Sequence, residues 1–167
     1  MKLEELYNRA VFVDANAFIY YLEGICNEFA ANIIKAGSRN VAKIKLVTTV
    51  RVCDEVLFKI AIIRAKAIDP SFSSDTVKKL RRKPDIVKSL VKDLITVVHF
   101  FQSLNLKILP MDRNILFRSL EIIEKYGLFG NDALSVYVMQ RRNMKYLLSS
   151  DKDFDLVDWI VRIDALR

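Results

Sequence analysis

Glycine and proline are scarce in this chain, four and three among 167 residues. That excludes collagen-like and low-complexity architectures and leaves no stretch with the composition of a linker. Histidine occurs once, at His99, and cysteine twice, at Cys26 and Cys53. A single histidine gives no support to serine-hydrolase chemistry, and two cysteines this far apart make no metal or redox spacing. No glycine-rich phosphate loop is present, so nucleotide chemistry of the P-loop kind is unsupported too. Nor is any apolar run long enough to span a membrane: the stretch from Val56 to Ile68 is broken by Lys59, Arg64 and Lys66. The opening Met-Lys-Leu-Glu-Glu lacks the apolar centre of a signal peptide. These absences point to a cytoplasmic protein whose cysteines are reduced and pack as small hydrophobes.

What is present suits one domain over residues 1–167, with 52% apolar residues and enough chain to bury a sizeable core. A net charge of +7 invites a polyanionic partner. The charge is densest at Lys78, Lys79, Arg81, Arg82 and Lys83, and again at Arg141, Arg142 and Lys145. Clustered cations of this kind neutralise phosphates, or else form solvated helix faces.

Apolar runs and turn signals order the elements. Residues 10–14 read as a strand, 15–24 and 27–36 as helices, and 42–48 as a second strand. A long amphipathic helix follows over 49–67. Pro70 to Pro84 looks like a basic insertion with a short helix over 75–82. A helix over 85–104 starts at Pro84, a favoured position for proline. Residues 106–109 form a third strand, 113–126 a helix ended by Gly127, and 131–142 another helix. Strands at 146–149 and 161–163 complete the set. Strands alternating with helices predict a parallel sheet of four or five strands with helices on both faces.

The acids then fall into a pattern. Asp14 ends the first strand and Asp151 follows the fourth, at the edge of the sheet where ligands gather. Glu55 lies about two turns into the long helix, and Asp132 opens the helix at Asn131. Asp14 is equally well placed to be an ordinary N-cap of the next helix. Four carboxylates in one pocket repel one another, and a divalent cation makes the crowd tolerable. Hard oxygen donors without histidine or cysteine select Mg²⁺ or Mn²⁺. Such an ion lowers the pKa of a bound water and steadies charge on a phosphoryl oxygen.

Val13-Asp14-Ala15-Asn16-Ala17, the Thr48-Thr49 strand end with Glu55 in the helix after it, Gly130-Asn131-Asp132-Ala133 and Leu147-Leu148-Ser149-Ser150-Asp151-Lys152-Asp153-Phe154 occur in this order. In that order they resemble the PIN-domain nucleases over nearly the whole chain. The resemblance implies a three-layer α/β/α fold and metal-dependent cleavage of RNA by activated water. It also implies a VapC-like toxin of the VapBC toxin–antitoxin type, with a small antitoxin protein as partner and a homodimer as assembly. The alternatives are a PIN nuclease of RNA maturation or decay, and a PIN-fold binding module without turnover.

By position Asp14, Glu55, Asp132 and Asp151 match the family's acids. Asp14 and Asp132 are expected to touch the metal, with Glu55 and Asp151 completing the site directly or through its waters. Asp153 competes with Asp151 and is read as the cap of the turn before Phe154. Asn16, Thr48 and Thr49 are candidates for positioning a phosphate or a metal-bound water. The basic run at Lys78, Lys79, Arg81, Arg82 and Lys83 is expected to border the acidic pocket and grip RNA. Asp112 is read as a helix N-cap and Asp54 as a solvent-facing neighbour of Glu55. His99 is assigned to the core or a dimer face, and Phe18, Tyr20 and Tyr21 give the first helix an aromatic surplus suited to a partner. Asn16 counts against a haloacid-type phosphatase, which would want an acid two residues after Asp14.

Overall fold

A computed structural model of the chain describes residues 1–73 and 75–166; Ser74, in the expected insertion, and Arg167, at the chain's end, lie outside the described residues. The sheet holds β1 (Ala10–Val13), β2 (Lys45–Thr49), β3 (Leu106–Leu109), β4 (Tyr146–Leu148) and β5 (Val161–Ile163). Every pairing is parallel, in the order β3-β2-β1-β4-β5. The strands read as unbroken apolar runs because a parallel sheet covered on both faces has no wet side. Val11, Phe12, Val13, Leu46, Leu147 and Leu148 are accordingly fully buried.

Between β1 and β2 run α1 (Ala15–Leu22) and α2 (Glu28–Ala36). Between β2 and β3 run α3 (Val50–Ile68), α4 (Thr76–Leu80), α5 (Pro84–Ser89) and α6 (Val91–Ser103). The chain returns to β4 through α7 (Arg113–Tyr126) and α8 (Asn131–Arg141). Right-handed crossovers put the first six helices on one face and the returning pair on the other. The packing agrees: α3 rests on α1 and α6, and α7 packs on α8. The winding reverses between neighbours β1 and β4, and in open α/β sheets such a switch opens a crevice at the strands' carboxyl ends.

Local chemistry sets the helix ends. Asn27 accepts from the Ala30 amide at 2.8 Å, Thr49 from Val52 at 3.2 Å and Asp112 from Ile115 at 2.8 Å. Each satisfies a donor the helix itself cannot. Asp112 is thus the N-cap expected from sequence, and Gly127 closes α7 as expected.

Four expectations change. The helix expected over 85–104 is two, because Leu90 turns inward at ψ −12° and is 1% exposed. The insertion is better anchored than its composition suggests. Phe72 is fully buried, the Thr76 hydroxyl donates to its carbonyl, and Lys83 lies 5.0 Å over its ring. Two of the three aromatics of α1 are spent inside the fold, and Tyr20 is left half-buried. Phe18 is fully buried edge-on to Phe101 at 5.2 Å, and Tyr21 stacks on Phe100 at 5.4 Å. His99 is exposed on α6, which removes the core half of its expected assignment and leaves the dimer face untouched. Cys26 and Cys53 are free thiols, and burial pushes Cys53 up to about 11, so it packs and does not react.

Gly37 ends α2 directly against the sheet: a Cβ there would stand 2.3 Å from Leu46 Cγ. Leu46 sits in the sheet centre and has no room to retreat. Gly37→Ala is therefore expected to cost about 1–3 kcal/mol of stability by overpacking. Urea unfolding checks this, and a variant as stable as the parent would show that the contact relaxes freely.

Candidate active site

Asp14 follows β1 directly and occupies the N-cap position of α1, but its side chain does not cap the helix. The carboxylate turns to the neighbouring strand end instead. Its Oδ2 accepts from the Ser149 hydroxyl at 2.9 Å and from Asn16 Nδ2 at 2.8 Å. Ser149, just past β4 and fully buried, also accepts from Asn16 Nδ2 at 3.0 Å and from the Asp151 amide at 3.1 Å. Asn16 Oδ1 takes the Ser150 amide at 3.1 Å. One serine thus ties the tips of β1 and β4 together with every hydrogen-bonding position of its hydroxyl in use. Ser149 was visible in sequence only as part of the motif after the fourth strand, and this role was not.

Glu55 projects from α3 and accepts from Asn131 Nδ2 at 2.6 Å. Asn131 Oδ1 in turn accepts from Arg51 Nε at 2.9 Å. Asn131 begins α8 because Gly130 precedes it at φ 59°, ψ −124°, a conformation open essentially to glycine alone. Asp132 then stands in the first turn of α8. Asp151 caps the turn over Lys152–Leu156, its Oδ1 accepting from the Asp153 amide at 2.9 Å. The cap is therefore Asp151 and not the expected Asp153, which is exposed, while Asp151 also lines the cavity as expected.

Asp14, Glu55, Asp132 and Asp151 line one cavity of about 600 Å³ with Asn16 and Asn131. Tyr20, Lys59 and Lys66 also border it, three residues the sequence reading did not assign to the site. The carboxylates share the cavity without closing on one another. Among the described residues no three histidine, cysteine or acidic side chains stand close enough to hold an ion between them.

Their fields overlap all the same. Burial pushes Asp14 up to about 6, against hydrogen bonds from Ser149 and the Ala15 amide, and repulsion from Glu55 and Asp151 adds to the rise. Asp132 rises to about 7, first through burial and then through repulsion from Asp14, Asp151 and Glu55. The helix N-terminus favours a carboxylate at Asp132 by only about 0.3–1 kcal/mol. The net upward shift shows that burial and crowding outweigh it.

Other expected residues lie elsewhere. The Thr48 hydroxyl is fully buried and donates to the Val13 carbonyl at 2.8 Å, while Thr49 caps α3. Both hold β1, β2 and α3 together, and neither lines the cavity. None of Lys78, Lys79, Arg81, Arg82 and Lys83 lines it either. Lys79 donates to the Ser71 carbonyl and Lys83 pairs with Asp69 at 3.4 Å, so two of the five fasten the insertion to itself. The second run begins at Arg141, nine residues along α8 from Asp132, or about 14 Å down the helix. Asp54 faces solvent as expected and pairs with Arg51 at 2.6 Å.

The chain belongs to the PIN domain family, whose sequence profile matches residues 11–160. It is 30% identical over 165 residues to Ribonuclease VapC2 of Methanocaldococcus jannaschii, covering 98% of this chain and 97% of that protein. Its fold is similar to that of VapBC2 from Rickettsia felis, solved bound to a promoter DNA fragment. That match has a TM-score of 0.58 at 14% identity and covers 93% of this chain and 98% of the other. It is also similar in fold to Mycobacterium tuberculosis VapC20, a sarcin–ricin-loop-cleaving toxin. There the TM-score is 0.54 at 13% identity, over 90% of this chain and 96% of the other.

The raised carboxyls link the site to stability. Between the ordinary value of 3.8 and about 6 for Asp14 or about 7 for Asp132, the folded chain holds protons that the unfolded chain has released. Stability therefore falls as pH rises through that window and levels off above about 7. In EDTA, Asp132→Asn should flatten this fall and leave the protein more stable than the parent at pH 8. Urea midpoints at pH 5 and pH 8 check it; a variant less stable at pH 8 would mean the carboxylate is favourably placed.

Proposed function

We propose that the chain is a VapC-like ribonuclease that hydrolyses RNA phosphodiester bonds with Mg²⁺ or Mn²⁺ at Asp14, Glu55, Asp132 and Asp151. The observation that carries this reading is that four carboxylates from four separate segments line one cavity at the switch point of the sheet. The family and the VapC2 relative support it.

The donor set fits a hard divalent cation: carboxylates alone, without sulfur or imidazole. Asp14 and Asp132 are short of countercharge, and both would release a proton to a cation. They are the residues that hold it, with Glu55 and Asp151 beside them. Bound there, the ion lowers the pKa of a water and stabilises charge on the phosphoryl oxygens.

The chain's own side chains do the positioning. Ser149 and Asn16 fix the Asp14 carboxylate from two directions. Asn131 holds Glu55, and the capped turn holds Asp151. Lys59 and Lys66 set positive charge on the cavity wall, where it draws a phosphate backbone toward carboxylates that would otherwise repel it. The basic insertion lies against α3 and adds to the field that steers RNA in. A small antitoxin protein as inhibitor and a homodimer as the assembly belong to the same reading. No helix among the described residues is long and apolar enough to cross a membrane.

Purified protein should cleave single-stranded RNA with Mg²⁺ or Mn²⁺, stop in EDTA, and turn over poorly with Ca²⁺, which is larger and looser in geometry. Asp14→Asn should fall to the level seen in EDTA while keeping the parent's circular dichroism spectrum. Cleavage unaffected by either EDTA or Asp14→Asn would remove the acids from the chemistry.

A further inference from the structure

Beside the acidic cavity opens a second one of about 380 Å³, which shares Glu55, Lys59 and Asn131 with it. Its remaining walls are Arg51, Asp54 and Phe58. Phe58 is 48% exposed, and core packing does not account for it. Val52, Val56 and Ile60 carry the inward face of α3, whereas Arg51, Asp54, Glu55 and Phe58 follow one another at helical spacing on the outward face.

A surface that docks another protein is a contiguous apolar patch. Here Phe58 is the single apolar wall among charged and amide side chains. A lone aromatic face flanked by a guanidinium and an ammonium suits an unpaired nucleobase with its phosphates. The ring stacks and the cations hold the backbone.

The cavity is also fixed relative to the acids. Arg51 bonds to Asn131 at 2.9 Å and Asn131 to Glu55 at 2.6 Å, so an unbroken chain of hydrogen bonds runs from one cavity to the other. Phe58 and Glu55 are three residues apart on the helix and share a face, about 5–6 Å between their Cβ atoms.

We infer that Phe58, with Arg51 and Lys59, forms a stacking subsite for an unpaired base of the nucleotide beside the phosphate at the acid site, an inference that rests on the ribonuclease reading. The base has to leave its own stack to reach the ring, so the subsite selects single strands and loops over duplex. Phe58 is a specificity residue that touches the base and takes no part in the chemistry.

The test uses short single-stranded oligoribonucleotides with 2-aminopurine at each successive position, added to Asp14→Asn protein so that nothing is cut. One position should be quenched on binding. Adding Phe58→Leu should abolish that quenching and weaken binding about 10-fold, the loss of one stacked base, while Phe58→Tyr should retain both. Circular dichroism checks that all three are folded. Equal quenching and affinity in Phe58→Leu would overturn the subsite and leave the ring to a protein partner. If Asp14→Asn with Phe58 intact binds none of the oligonucleotides, the ribonuclease reading itself fails and the subsite with it.

Discussion

Crowding of like charge at one point of a dry sheet is the constraint on which the rest of the molecule depends. β1 and β4 are neighbours, both are buried on both faces, and both run into acids at the same edge. A carboxylate at the end of such a strand must find donors or lose its charge. Asp14 finds Ser149 and Asn16, and it is still pushed up to about 6. Two hydrogen bonds from neutral groups therefore do not offset burial plus repulsion. Asp132, without such donors, rises further. The site is thus unfavourable on its own, because burial and like charge both act against the ionised carboxyls.

That constraint explains why amides cluster here. Asn16 and Asn131 each have one oxygen and one nitrogen to offer, and each is turned so that the nitrogen meets a carboxylate. The oxygens go to donors away from the acids, the Ser150 amide and Arg51. An aspartate at either position would add a like charge, and a lysine would supply a cation that neutralises the acids. An amide orients a carboxylate while leaving its charge uncompensated.

Much of the fold was legible because its signals are local. Apolar strands, the N-cap at Asp112 and the stop at Gly127 involve residues within a few positions of one another. Asp14, Asp132 and Asp151 were legible because each sits at a strand end or a helix start, and a parallel sheet sends such points to one edge; Glu55, inside α3, was legible through its spacing from the Thr48-Thr49 strand end. What was hidden depends on long-range partners. Ser149 works through Asp14, 135 residues away, and Asn131 through Glu55, 76 residues away. The role of Thr48 was hidden for the same reason, whereas Thr49 caps its own helix through Val52, three residues on. A threonine at a strand end reads as a site residue until the Val13 carbonyl appears beside it. Charge density misled at Lys79 and Lys83, whose cations turn back to the Ser71 carbonyl inside the insertion and to the Asp69 carboxylate at the end of α3.

α3 shows why a hydrophobic pattern alone does not locate a site. From Val50 to Ile68 it is apolar along its inward face and carries Arg51, Asp54, Glu55, Lys59, Arg64 and Lys66 around the rest, the pattern of an amphipathic helix. Val52, Val56 and Ile60 meet the core, and Arg64 reaches Glu23 of α1 at 2.7 Å. Ile62 and Ile63 instead belong to the wall of the acidic cavity, with Ile19 and Tyr20 of α1 alongside. Apolar walls keep the local dielectric low, and this strengthens each carboxylate–cation contact inside. The same walls carry Glu55 and Lys59 one turn apart, so negative and positive charge are fixed on a single rigid rod. Lys59 is thereby held beside the acids by helix geometry alone.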